Sequence, residues 1–271
     1  AVGTPREARQ YDGGDDPARA DDWLKDAIPR ERRKVYDPRR ILASVFDRGS
    51  VFEIGRWQAG SVITALARLD GIPVGVIAND PKHAGGAMTT QSAYKMERHV
   101  DVCSRFGLPI VNFVDQPGNA TGLDAELNGT LLGALRVGGA LDACRSPWVS
   151  IIIRRCFGLA GGLHAPKYME DLNHRFAWPS AKWGSIPIEG GVMAAHRKEI
   201  EAAPDPAAKR AELEAYYHKM TSPLRTAEKF GVLDVIDPRE TRAVLTDWVH
   251  DAWYVVCGDH AQRVAGALSQ A

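Results

Sequence analysis

The sequence predicts an α/β domain, and three observations predict it. Apolar, β-branched runs of strand length recur, they alternate with amphipathic helical stretches, and the later runs end in glycine turns. The order strand, strand, helix, strand, helix, strand, helix is that of a sheet buried between helical layers. At 271 residues and 45% apolar composition, the chain can bury a core as one large domain or two small ones.

Residues 1–35 are polar, charged and rich in Gly, Pro and Asp, and are read as a linker or surface arm. Within it, Ala20 to Ile28 predicts one short helix around Trp23 and Leu24, ended by Pro29. The globular domain is placed at 36–271. Asp37-Pro38 starts a helix with Ile41, Leu42, Val45 and Phe46 on its apolar side. Two strands follow, Ser61 to Leu69 and Pro73 to Ala78, and the Asp70-Gly71 pair between them is a hairpin signal. A helix is expected from Gln91 to Arg105, a strand at Pro109 to Val114, and a helix from Ala125 to Ala143. Beyond Gly191 the pattern is mostly helical, near Val192 to Ile200, Pro206 to Lys219 and Arg239 to Val256.

The stretch Val149-Ser-Ile-Ile-Ile-Arg-Arg-Cys-Phe-Gly-Leu-Ala-Gly-Gly162 carries the most chemistry. A buried strand of five to six residues ends in a turn that opens onto a helix. Gly158, Gly161 and Gly162 permit a sharp turn and close approach to a ligand. The Leu159 and Ala160 amides are then unpaired donors at a helix N-terminus, and such a pair stabilises an oxyanion by ~3 to 4 kcal/mol. A tightly packed turn with no ligand is the other reading of the same residues. The strand Ile110 to Val114 ends similarly, in Asp115-Gln-Pro-Gly118, and open α/β sheets bind ligands beyond the carboxyl ends of their strands. Asp115 either touches a ligand or closes an Asx-turn. The loop Ala84-Gly-Gly-Ala87 is either a ligand loop or a flexible connection.

Other classes lack their residues. There is no Gly-x-Ser-x-Gly elbow, Walker loop or HExxH motif. His164 and His174 lie near the glycine turn but pair with no nucleophile or orienting carboxylate, and Trp178 and Trp183 read as packing residues. Thirty-four basic against 34 acidic residues argue against a general nucleic-acid binder. Cys103, Cys144, Cys156 and Cys257 are far apart, so neither a zinc site nor a disulfide framework is expected, and a reducing compartment is. No apolar run reaches the ~18 residues of a membrane span, and no signal peptide is visible. The chain opens on Ala1 instead of Met, which is read as a processing or cleavage point.

Five motifs, in order and at family-like separations, carry a resemblance. Phe52-Glu53-Ile54, Val74-Gly-Val-Ile-Ala-Asn79, Pro109-Ile-Val-Asn-Phe-Val-Asp-Gln-Pro-Gly118, Arg154-Arg-Cys-Phe-Gly158 and Phe176-Ala-Trp-Pro-Ser-Ala181 resemble biotin-dependent acyl-CoA carboxylase carboxyltransferases. The ending Gly231-Val-Leu-Asp-Val-Ile-Asp-Pro-Arg-Glu-Thr-Arg242 is similar to the family's closing segment. Members have two crotonase-like halves, superhelices of ββα units, and this chain resembles the C-terminal half with a helical C-terminal extension.

The resemblance implies a carboxyl group passing from carboxybiotin on a carrier protein to the α-carbon of an acyl-CoA. Backbone oxyanion holes serve both reactants, and no side-chain base is required. Gly158, Leu159 and Ala160, which resemble the family's hole, are the candidate catalytic residues, and Phe157, Gly161, Gly162, Asp115, Pro117 and Gly118 of the two strand-end turns are the candidate cofactor-binding residues, the cofactor being biotin on its carrier and the substrate an acyl-CoA. It implies as partners an N-terminal half on the same or a separate chain, a biotin carboxyl carrier protein and a biotin carboxylase. It further implies a homo- or hetero-oligomer, hexameric in the family, in a bacterial cytoplasm or a mitochondrial matrix. Departures are local. Leu159 stands where Gly is common, Gly162 at the position often carrying an acyl-chain-selecting residue, Thr89 and Gln91 where acids are frequent, and Ser185 to Gly191 where a Met-Gly segment is usual. A decarboxylase of the same architecture and a non-catalytic assembly subunit remain as alternatives.

Overall fold

A computed structural model describes residues 15–31, 33–165, 172–185, 188–228 and 231–269, without side chains at 189 and beyond 258. One eight-stranded sheet organises it. In chain order, β1 (Phe52–Ile54), β2 (Val62–Leu69) and β3 (Ile72–Asn79) form an antiparallel meander. The parallel part adds β4 (Ile110–Gln116), β5 (Trp148–Phe157), β6 (Asn173–Ala177) and β8 (Asp234–Val235), while β7 (Lys182–Gly184) pairs with the far end of β5. The β2–β3 turn puts Asp70 at φ 50° and Gly71 at φ 76°, the left-handed geometry for which Asp-Gly is suited.

Helices cover both faces. The crossover β3–α2–β4 uses α2 (Thr90–Phe106), whose N-terminus is closed by a reciprocal Thr89–Ser92 capping box. The next crossover uses α3 (Leu123–Leu127) and α4 (Thr130–Ala143). Met96, Val100, Ala134, Val137 and Trp148 join one core between these helices and the sheet. On the opposite face α1 (Pro38–Val45), capped by Asp37 as expected, and α9 (Thr241–Ser269) bury Phe46, Trp248 and Trp253 against β2 and β3. Arg242, 1% exposed, ties these helices together by donating to Asp47 Oδ1 and to the carbonyls of Val45 and Asp16. A hairpin of α6 (Ile188–Glu201) and α7 (Pro206–Met220) forms a satellite core around Val192 and Ile200; α5 (Gly158–Gly162) and α8 (Pro223–Ala227) are single turns.

Four expectations need correction. Residues 15–31 are not a free surface arm: a 3₁₀ turn at Asp22–Asp26 buries Leu24, and Ala27 joins the same core. Residues 1–14 lie outside the described residues. The helix expected from Ala125 to Ala143 is two, because Gly129 adopts φ 72° and interrupts the repeat. The central strand has ten residues instead of five or six, and the helix after it has only five. Finally, β1, β6, β7 and β8 were not expected from the sequence: each is short and takes its strand geometry from its neighbour.

Candidate active site

The ends of β4 and β5 lie side by side, with Gln116 paired to Cys156 after a register shift beyond Val114. This puts the two glycine turns together, beyond the carboxyl ends of parallel strands. Phe157 is still extended, then Gly158 takes φ 63° and starts α5. A Cβ on Gly158 would stand 3.2 Å from the Ser185 carbonyl, and one on Gly161 only 2.7 Å from the Cys156 backbone carbon. Glycine at 161 therefore lets α5 lie directly on the strand it follows. No side chain caps this helix, so the first amides of the turn have no partner within it.

An open cavity of about 510 Å³ faces the turn, lined by Gly158, Leu159, Gly161 and Gly162 with Trp183 and Arg175 across from them. Leu159 is about half exposed, whereas Ala160 has no exposed surface and belongs to the core under α4. The accessible edge of the predicted hole is therefore Gly158–Leu159, with Ala160 behind it. Cys156 also lines the cavity, and burial pushes its thiol up to about 11, so it stands there uncharged.

Asp115 is held by side chains distant in the sequence. Its side chain is fully buried, with Oδ1 accepting from Arg155 Nε at 2.6 Å and Oδ2 from the Tyr36 hydroxyl at 2.9 Å. Burial and the neighbouring carboxylate hold the Tyr36 phenol well above its usual range. The turn is closed instead by Gln116, whose Oε1 accepts from the Gly118 amide. Arg155 also donates to the Gly85 carbonyl. This contact ties the Ala84 to Ala87 loop to β5, so that loop is a clamped connection.

Gln116 Nε2 faces His164 Nε2 at 3.3 Å, and Asn112 brackets the other edge of that ring. The His164 carbonyl accepts from Asn112, Trp148 and Ser150. Burial, aided by the Arg175 charge, pulls the imidazole down to about 3. A neutral, saturated histidine ties β4, through Asn112 and Gln116, to the start of β5, through Trp148 and Ser150; it is placed as a structural group and not as a base. His174 lies on β6 opposite Val149, at the other end of β5 from Phe157. Trp178 is buried and donates to Thr241 Oγ1.

The sequence pattern of the carboxyl transferase domain matches residues 4–254. The chain belongs to that family. It is 36% identical over 230 residues to the propionyl-CoA carboxylase carboxyltransferase subunit of Haloferax mediterranei, covering 84% of this chain and 44% of that protein. It is 33% identical over 222 residues to the methylmalonyl-CoA carboxyltransferase 12S subunit of Propionibacterium freudenreichii, covering 81% and 42%. The crystal structure of transcarboxylase 12S, a hexamer assembly with methylmalonyl-coenzyme A bound, superposes with a TM-score of 0.79 at 30% identity, over 86% of this chain and 45% of that one. The fold is thus the crotonase-like one expected, and the chain spans about half the length of the curated relatives it matches.

In this carboxyl transferase domain the predicted residues divide into three groups. Gly158, Leu159, Gly161 and Gly162 meet on one cavity. Phe157 and Pro117 face a different one. Asp115 anchors Arg155 of the second cavity, and Gly118, at φ 130°, shapes the loop, its carbonyl accepting from the Met88 amide. Sequence reasoning missed Arg175, Trp183 and Ser185 as cavity residues; the strands that deliver Arg175 and Trp183 are short ones paired with β5. Arg155 was in view, as the second residue of the Arg-Arg-Cys-Phe-Gly motif. Among the described residues no cluster of three or more His, Cys, Asp or Glu side chains is placed to hold a metal, and no helix is long and apolar enough to cross a membrane.

Proposed function

We propose that this chain is the C-terminal half of the carboxyltransferase of a biotin-dependent acyl-CoA carboxylase, moving a carboxyl group from carboxybiotin to the α-carbon of an acyl-CoA. One observation carries the reading: the Gly158–Leu159 turn opens uncapped onto a cavity whose wall includes Arg175 and no carboxylate. Such a wall suits an oxygen that gains negative charge during a reaction. Biotin, delivered on its carrier, supplies the carboxyl group and a ureido oxygen on which charge grows as that group leaves.

The chain's own residues position and shield. Gly158 aims the turn, Leu159 and Ala160 contribute amides, and Gly161 fixes α5 to β5. Gly162 leaves open space, since a Cβ there would meet nothing within 4 Å. Trp183 supplies an apolar wall against water. With His164 held neutral and saturated, no side chain here is set up as a base, in keeping with a reaction whose proton leaves by way of the reactants.

Further support comes from the surface beside the site. Leu131, Leu132 and Leu135 of α4 are each 60% exposed, and Leu135 shares a second hollow with Leu159 and Gly162. Contiguous exposed apolar side chains of this kind mark an interaction face. We assign it to the N-terminal half that binds the acyl-CoA, within a symmetric oligomer served by a biotin carboxyl carrier protein and a biotin carboxylase in the cytoplasm.

Reconstitution tests the proposal. The chain alone is expected to be inactive with free carboxybiotin and propionyl-CoA, and active when combined with an N-terminal half. Leu159→Pro deletes one amide at a position where the helix does not use it, and is expected to lower kcat by about 10²- to 10³-fold. Leu159→Gly retains the amide and is expected to stay within a few-fold of the parent. Equal activity of the two variants would exclude the amide hole.

A further inference from the structure

We propose that Arg175 is a specificity-determining residue: in the cavity at the Gly158–Leu159 turn, the amide cavity, it receives a carboxylate that is already charged when the ligand arrives. The inference deepens the carboxyl-transfer reading, and rests on it for which reactant carries the group.

Strand geometry sets the direction of the side chain. On β6 successive residues alternate between the two faces of the sheet. His174 and Phe176 meet edge to face at 6.2 Å, and Phe176 packs on the core of that side. Arg175 points the other way. It stands opposite Ser150, whose hydroxyl donates to the His164 carbonyl, and it lines the amide cavity with Cys156, Leu159 and Trp183.

No acid is placed against this charge. Among the described residues Arg175 makes no ion pair, and no Asp or Glu lines the cavity. Asp234 on the neighbouring strand is opposite Phe176, so it faces away, and its Oδ1 accepts from the Val235 amide. The positive field of Arg175 reaches both Cys156 and His164, and no carboxylate offsets it at either. A partly buried guanidinium that the protein leaves unmatched favours an anion from outside. One planar fork matches the two oxygens and single charge of a carboxylate.

The amides and the guanidinium have different tasks. Neutral amides serve charge that grows during a reaction, whereas a permanent cation binds an anion beforehand. Two sources carry the same chemistry: the carboxyl group borne on biotin, and a fixed carboxylate at the end of an acyl group.

A pair of alkylating agents tests the charge without turnover, because Cys156 shares the cavity. The 271-residue chain is treated at about pH 8.5, where more thiol is ionised, with iodoacetate, which carries a carboxylate, or iodoacetamide, which does not. Peptide mass spectrometry gives both rates at Cys156 and at Cys257, the internal reference. Their quotient at each thiol cancels effects on thiol ionisation. The iodoacetate-to-iodoacetamide quotient is expected to be about fivefold or more higher at Cys156 than at Cys257. It should fall to the Cys257 value in Arg175→Gln, and about twofold in Arg175→Lys, which keeps the charge and loses the fork. An unchanged quotient in either variant overturns the proposal, as does a Cys156 that neither agent reaches. In enzyme reconstituted with an N-terminal half, a raised KM for carboxybiotin in Arg175→Gln assigns the carboxylate to biotin. Loss of a preference for glutaryl-CoA over propionyl-CoA assigns it to the acyl group. Failure of reconstitution in the parent would sink the carboxyl-transfer reading and leave the alkylation result standing.

Discussion

Replacing Asp115 by Asn separates a structural anchor from a ligand contact. The substitution keeps size and shape, and leaves one oxygen for Arg155 and an amide that the Tyr36 hydroxyl can accept from; what disappears is the buried negative charge. Breaking a buried pair costs roughly 3 to 5 kcal/mol. Arg155 retains 28% side-chain exposure, so water recovers part of this, and the expected loss is about 2 to 3 kcal/mol. For a chain of this size that is a fall in Tm of about 4 to 12 °C. Tyr36→Phe removes one hydrogen bond to the carboxylate and is expected to cost about 1.5 to 3 kcal/mol. Urea unfolding of the parent, both single variants and the double variant gives the coupling between them, expected to exceed about 1 kcal/mol because the groups touch. An unfolding free energy for Asp115→Asn within experimental error of the parent, or zero coupling to Tyr36, would refute the anchor. Loss of ligand binding with unchanged stability would restore the role read from the sequence.

Acidification acts through the buried histidines. His99 is lowered to about 4 and His164 to about 3, both chiefly by burial. The unfolded chain therefore binds their protons first, from about pH 6.5. Stability from these groups is complete above that pH and falls on acidification towards pH 4. Its slope there is at most about 2.7 kcal/mol per pH unit, measurable as the urea midpoint against pH. Gly161→Ala forces a Cβ to 2.7 Å from the Cys156 backbone; a loss of about 1 to 3 kcal/mol and a large fall in reconstituted turnover are expected from thermal melts and initial rates. Alkylation of Cys156 with a maleimide, placing bulk in the amide cavity, is expected to be slow at pH 7 because the thiol is protonated, and to abolish turnover once complete.

The central layers were legible because periodicity reports burial. β2 to β5 are apolar along nearly their whole length, and α2 carries its apolar stripe between Thr89 and Gly107, a capping residue and a left-handed stop. The break at Asn128-Gly129 is a turn dipeptide inside a helical pattern with apolar residues on both sides. By contrast, β7 and β8 are too short to show a period, and their pairing is imposed by the sheet. At the site, the glycine turns were readable from local chain geometry. Asp115 was not, because its meaning depends on Tyr36, 79 residues earlier, and Arg155, 40 residues later. Arg175 and Trp183 escaped for the same reason.

The position of Leu159 links reactivity to assembly. Its amide borders the cavity at the glycine turn, while its side chain extends the leucine face of α4. A partner that covers the face would thereby also seal one mouth of the cavity. Under the proposed carboxyl transfer, a solitary chain would hold its amide turn open to bulk water, where a labile carboxyl donor is lost to hydrolysis. Under the proposed function, quaternary structure would then work as a safety catch, releasing the chemistry only after both halves had met.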